Sequence, residues 1–194
     1  MPRLFTAIEL DPPVRAAVAA RQWDLSRHFD ESGVAPPRMV RPEQMHLTLV
    51  FLGDVAAPRV EVVEDVMAKP LPINPFEIAI DGVGVFPPSG RAQVLWFGIA
   101  RGSAEVRRLF EAVARRLEDV GIPRERRPFS PHLTVGRWRE RGPLRVPVRD
   151  ADRSTIAVQH VSSATLFSSR LLPGGAEHTV LARAPLAGVA DDVH

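Results

Sequence analysis

The chain contains no cysteine. Disulfides, thiolate metal sites and cysteine nucleophiles are therefore excluded at the outset. Lysine is nearly absent too, Lys69 being the only one, and no Gly-x-x-x-x-Gly-Lys stretch exists to form a P-loop. Nowhere do 18 uncharged apolar residues run together, so no segment reads as a transmembrane helix. The N-terminus lacks a basic segment followed by an apolar run, so none reads as a secretory signal. A cytoplasmic protein without a membrane contact is the expectation. A zinc-binding His-Glu-x-x-His helix and a Gly-x-Ser-x-Gly nucleophile elbow are both missing. Gly82-Val83-Gly84 is too short and wrongly placed for a dinucleotide fingerprint.

Of the 194 residues, 45% are hydrophobic, enough for a sizeable core. Residues 1–194 are expected to form a single domain, built as two small lobes on a shared core. The net charge of +2 conceals an uneven distribution, because residues 101–153 hold 14 arginines against 8 acidic side chains. That surplus suits an anionic partner such as nucleic acid or phosphate. A chain-wide preference for arginine accounts for it equally well.

Hydrophobic periodicity predicts a strand over 3–10, then Asp11 capping a helix whose stripe is Val14, Val18, Arg21 and Leu25. A short strand over 39–41 and a turn at Pro42 follow, then a strand over 46–52 and a helix over 58–69. Phe76, Ile78 and Ile80 alternate as a strand, the loop Phe86–Gly90 intervenes, and 94–99 is another strand. The clearest helix has Ser103 as its cap, a stripe of Val106, Leu109, Phe110, Val113, Leu117 and Val120, and Gly121 and Pro123 as its stop. A strand from His132 to about Trp138, a charged loop over 139–150, and strands over 156–167 and 178–184 joined at Pro173-Gly174-Gly175 complete the chain. The strands alternate instead of running continuously apolar. That favours antiparallel sheets with helices outside, an α+β fold, over a doubly wound parallel sheet.

One short pattern occurs twice: His46-Leu47-Thr48-Leu49 and His132-Leu133-Thr134-Val135. On a strand, side chains alternate faces, so each copy presents an imidazole and a hydroxyl about 7 Å apart on one face and two apolar residues on the other. Six His and six Thr in 194 residues give only about 0.2 His-x-Thr triplets by chance. Both copies are also preceded by an Arg-Pro pair, Arg41-Pro42 and Arg127-Pro128, at the same spacing, and at some distance by an amphipathic helix. Two related halves placed across a pseudo-two-fold axis are the simplest account. His28, His160, His178 and His194 have no such context and read as surface or structural residues.

Two imidazoles across a cleft suit concerted acid–base catalysis, since His titrates nearest neutral pH. One, neutral, takes a proton from water; the other, protonated, gives one to a leaving oxygen. The hydroxyls of Thr48 and Thr134 can hold the oxygens of a phosphoryl group. This equipment opens a phosphodiester, above all a strained cyclic one. The alternatives are ATP-independent 2′-5′ RNA ligation, the same step reversed, and a non-catalytic RNA-end-binding module. Phe86 and Trp138 are candidates for stacking on a base, and the loops 30–38, 87–91 and 139–150 for contacting RNA.

Beyond these motifs, the stretches Arg3–Ile8, Met45–Gly53, Val94–Gly98, Phe129–Arg137 and Leu166–Leu171 resemble the 2H phosphoesterases, specifically the bacterial and archaeal RNA 2′,3′-cyclic phosphodiesterases historically called 2′-5′ RNA ligases. The resemblance implies a bilobal α+β fold, with two pseudo-symmetric lobes whose antiparallel sheets face a central water-filled cleft. It implies His46 as proton donor to the leaving 3′ oxygen and His132 as proton acceptor from water, yielding a 2′-phosphomonoester. Thr48 and Thr134, with Arg137, would bind the phosphate. No metal or cofactor is implied. The expected partners are RNA with 2′,3′-cyclic phosphate ends or small cyclic nucleotides, with no obligate protein partner and a monomeric state.

Overall fold

Strand and helix periods alternate along the chain, yet the strands sort into two separate sheets. The computed structural model describes residues 1–125, 127–140, 142–143, 154–172 and 175–188. In order these form β1 (Arg3–Glu9), α1 (Pro12–Glu31), β2 (Arg38–Met39), a single 3-10 turn (Pro42–Gln44), β3 (His46–Asp54), α2 (Ala57–Met67) and β4 (Phe76–Phe86). Then come β5 (Val94–Ile99), α3 (Ser103–Asp119), β6 (His132–Arg137), β7 (Thr155–Val161), β8 (Ser163–Leu172) and β9 (Gly175–Pro185). The first sheet has the order β3-β1-β8-β9 and the second β2-β6-β5-β4-β7, and neighbouring strands in both are antiparallel. This is the expected α+β architecture. The turn expected at Pro173-Gly174, Arg126, residues 144–150 of the charged loop and His194 lie outside the described residues.

The duplication is visible in the topology. β1-α1-β3 and β5-α3-β6 are both a strand, a helix and an antiparallel return strand beside the first. The halves nevertheless share their core, because α1 packs against β7 of the second sheet and α3 against β3 of the first. One apolar cluster, with Ile8, Leu25, Leu47, Leu95, Leu109 and Leu133 among its members, runs through both. Each fully buried Leu or Ile of that size contributes roughly 1.5–3 kcal/mol.

Several local expectations give way to tertiary demands. Asp11 does sit at the N-cap of α1, with Pro12 behind it, but its side chain makes no capping bond. Its backbone N–H donates instead to Gln159 Oε1 at 2.9 Å, and Gln159 Nε2 donates to the Glu9 carbonyl at 2.7 Å. The N-cap of α3 is Gly102 at φ 82°, not Ser103, which is already inside the helix. A left-handed residue suits glycine there, since a Cβ at Gly102 would collide with the Glu77 carbonyl. On α1 it is Gln22, not Arg21, that is buried. Its Nε2 donates to the carbonyls of Val40 and Val135 at 2.7 and 2.8 Å, which satisfies two buried backbone groups at once.

The expected single strand over 156–167 is in fact two strands in different sheets, changing over at Ser162. Apolar residues continue across the change, so the local pattern carries no mark of it. β4 runs on to Phe86 through Gly82 and Gly84. Trp96 of β5, the register partner of Gly84, lies over it and fills the space a side chain would need.

Candidate active site

β3 is an edge strand of the first sheet, and only the two-residue β2 separates β6 from the edge of the second. The two motif strands contact each other where the sheets meet. Leu47, Leu49, Leu133 and Val135 are buried in the core, while His46, Thr48, His132 and Thr134 are half-buried on the opposite faces. The period of two thus places each motif as the sequence predicts.

Two adjoining cavities open there. One of about 450 Å³ is lined by His46, Thr48, Thr134, Arg137 and His178 among others. A second of about 700 Å³ is lined by His132, Ser130, Phe86 and Phe129, and shares Thr48, Phe51 and Arg137 with the first. All five residues predicted for the site therefore face one continuous cleft. Arg137 lines both cavities, and its charge adds to burial in lowering the pKa of each imidazole.

The Gln44 backbone, two residues upstream of His46, favours its charged form, and the Ser130 carbonyl, two residues upstream of His132, accepts from His132 Nδ1 at 2.7 Å. A carbonyl can only accept, so that nitrogen carries the proton. The other ring nitrogen of neutral His132 is then a free base. Gln44 is itself anchored, its side-chain amide donating to the Ala176 carbonyl of β9.

The surroundings differ between halves. Phe5 stacks on His46 at 4.6 Å and in turn on Phe167 at 5.1 Å. Phe86 meets His132 edge-on at 4.9 Å, with Trp96 behind it at 6.4 Å. Burial lowers both histidines, and in His46, where His178 and Arg137 add to the effect, the pKa falls to about 4. Both imidazoles are therefore neutral at neutral pH.

Two positions lining the cleft had no signal in the sequence. His178, whose sequence context reads as surface or structural, reaches the cleft and meets His46 edge-on at 5.3 Å. Phe51 is 51% exposed and lines both cavities, with the Arg3 guanidinium 5.9 Å from its ring. Strict alternation from Leu47 and Leu49 would bury Phe51. The register of β3 against β1 instead skips Leu49, so that Leu49 and Val50 both point inward and Phe51 turns to the cleft beside Phe5. Beyond His46, Glu9 accepts from Thr165 at 2.7 Å and from Arg183 at 2.9 and 3.2 Å. Burial alone would raise this carboxylate, but those bonds outweigh it and hold its pKa below the usual value. Of the two aromatics that were candidates for stacking on a base or for the core, Phe86 lines the cleft. Trp138 instead donates its Nε1–H to the Ala35 carbonyl at 3.0 Å and packs edge-on against core residue Phe29.

Among the described residues, no three His, Asp or Glu side chains gather as a metal nest, and no helix is long and apolar enough to cross a membrane.

Two antiparallel sheets meeting along paired His-x-Thr strands define a two-histidine cleft of the phosphoesterase type. Residues 11–159 match the family model described as the 2′-5′ RNA ligase superfamily. An RNA 2′,3′-cyclic phosphodiesterase of Archaeoglobus fulgidus is 33% identical over 174 residues, 89% of this chain and 94% of that one. The enzyme of the same name from Thermus thermophilus is 34% identical over 196 residues, 96% and 91% of the two chains. The crystal structure of apo LigT from E. coli superposes with a TM-score of 0.76 at 26% identity, over 95% of this chain and 98% of that one. The chain belongs to the 2′-5′ RNA ligase superfamily, as the resemblance implied.

Proposed function

We propose that this protein hydrolyses the 2′,3′-cyclic phosphodiester at RNA 3′ ends to a 2′-phosphomonoester, with His46 as acid and His132 as base. The observation that carries this reading is the presentation of two imidazoles, His46 and His132, on adjoining cavities lined also by Thr48, Thr134 and Arg137. The names of the curated relatives support the same substrate.

The acid and base roles are those the family resemblance implies, and the His132 tautomer fits its role. His132 holds its proton on Nδ1, so Nε2 is free to take one from a water in line with the scissile P–O3′ bond. Water adds to phosphorus, the O3′ bond breaks, and O3′ leaves with a proton from the imidazolium of His46. Thr48, Thr134 and Arg137 hold the non-bridging oxygens as charge collects on them.

His46 must be charged to act as the acid, yet burial, with His178 beside it, holds it at about 4. Charging it at pH 7 costs about 4 kcal/mol. A phosphodiester anion about 4 Å away contributes a Coulomb attraction of the same size, about 4 kcal/mol at an effective dielectric of 20. The substrate thus charges its own acid.

The test is incubation with an RNA oligonucleotide ending in a 2′,3′-cyclic phosphate, in excess chelator, with the product identified by phosphorus NMR. A 2′-phosphate is expected. No hydrolysis, a 3′-phosphate product, or undiminished activity in His46→Ala or His132→Ala would sink the reading.

A further inference from the structure

The duplicated Arg-Pro approach leaves two arginines that the chemistry at phosphorus does not use. Arg41 lines the cavity beside His46, and Arg127 lines the one beside His132. The two cavities differ in charge. The His46 side is edged by Arg3, Arg38, Arg41 and Arg137 and by no carboxylate, whereas Glu125 lines the His132 side. Arg38 and Arg41 are exposed and make no side-chain hydrogen bond or ion pair among the described residues. His178 adds a further uncommitted group to the same cavity. Its Nδ1 is buried without a hydrogen-bond partner, and its ring packs edge-on against both Phe5 and His46. At about 450 Å³ this cavity is within the range that takes a small ligand.

In-line displacement gives the two sides different occupants. The attacking water enters beside His132, and the leaving O3′, with the ribose that carries it, lies beside His46. The strand preceding that ribose must leave the cleft on the same side. We propose that the cavity beside His46 is the subsite for this upstream strand, with Arg38, Arg41 and His178 meeting the phosphodiester one nucleotide before the cyclic phosphate. The subsite rests on the reaction and the histidine roles proposed above. It makes the protein selective for RNA ends over free cyclic mononucleotides, because only a strand supplies the second phosphate. Charge-assisted contacts to that phosphate correspond to about 10- to 100-fold in kcat/KM.

The experiment compares kcat/KM for a dinucleotide ending in a 2′,3′-cyclic phosphate with that for the mononucleoside 2′,3′-cyclic phosphate of the same base. The expected ratio is about 10–100. It should shrink as salt rises, and fall toward unity in the folded double variant Arg38→Gln/Arg41→Gln and, separately, in His178→Phe. In Arg127→Gln the ratio should persist. Comparable hydrolysis of both substrates by the native protein leaves the reaction standing and overturns the subsite. So does a ratio lost in Arg127→Gln but kept in the other two variants. Failure to hydrolyse either substrate overturns the proposed reaction and the subsite with it.

Discussion

His178 meets the ring of His46 edge-on, with centroids 5.3 Å apart and planes at 87°. They belong to the two opposite edge strands of one sheet, and they stand near opposite ends of it. A flat sheet would keep them apart; the twist of four strands bends diagonal corners toward the same face. Phe5, on the central strand between them, packs against both rings. His46 is consequently enclosed by aromatic rings, and that enclosure sets its titration.

The pH dependence of kcat/KM should be a bell lying below the ordinary histidine value of 6.5. His46 titrates at about 4, and His132 is lowered by burial and by Arg137. Below about 4 both imidazoles are charged and the base is lost; above the His132 value both are neutral and the acid is lost. The kcat profile should lie higher, because bound phosphate favours the charged rings. An optimum of kcat/KM above 6.5 would contradict the assignment.

Stability should respond to the same enclosure. A histidine whose pKa is lowered by folding binds fewer protons folded than unfolded, so its contribution is complete above 6.5 and is lost as pH falls toward about 4. For His46 the loss is up to about 3 kcal/mol. Urea titrations at pH 7 and pH 4 should differ less in His46→Phe than in the native protein.

Single substitutions His46→Ala and His132→Ala should each lower kcat by about 10²–10⁴, the usual worth of one proton-transfer group. Circular dichroism should show the fold retained, since both rings are half-buried at the cleft and not in the core. Equal residual rates in the two single variants and the double variant would mark the pair as one unit.

Gly84→Ala should lower activity without touching the cleft. A Cβ there would collide with the Trp96 indole, which backs His132 at 6.4 Å. Displacing the indole loosens the base, so kcat should fall more than KM rises. An unchanged kcat in a folded variant would separate Trp96 from the positioning of His132.

Phe51→Ala should raise KM with little change in kcat, since the ring is exposed at the lip of both cavities and contacts neither imidazole. Loss of a base-stacking surface is worth about 1–3 kcal/mol, and steady-state kinetics on a cyclic-phosphate oligonucleotide measures it. Trp138→Phe, by contrast, should weaken the fold and not substrate binding. The indole bonds the Ala35 carbonyl and packs on Phe29.

Much of the site was legible because its chemistry is local. The period of two puts His46 with Thr48 and His132 with Thr134, and their apolar neighbours must face a core. The repeat of that pattern announced two halves, and the alternating strands announced antiparallel sheets. What the sequence could not supply were relationships between residues far apart. The skip at Leu49 that turns Phe51 outward depends on pairing with β1, and local alternation predicts the reverse. The division of 155–172 between two sheets is invisible because both faces demand the same apolar pattern. Capping failed for a similar reason, as Gln159 claims the Asp11 backbone and a close contact at Glu77 requires Gly102. The sequence by itself determined that two imidazoles and two hydroxyls would be offered on strand faces. Only the tertiary structure decided that His178 and Phe5 would enclose one of those imidazoles, because sheet twist and burial are set by every strand together.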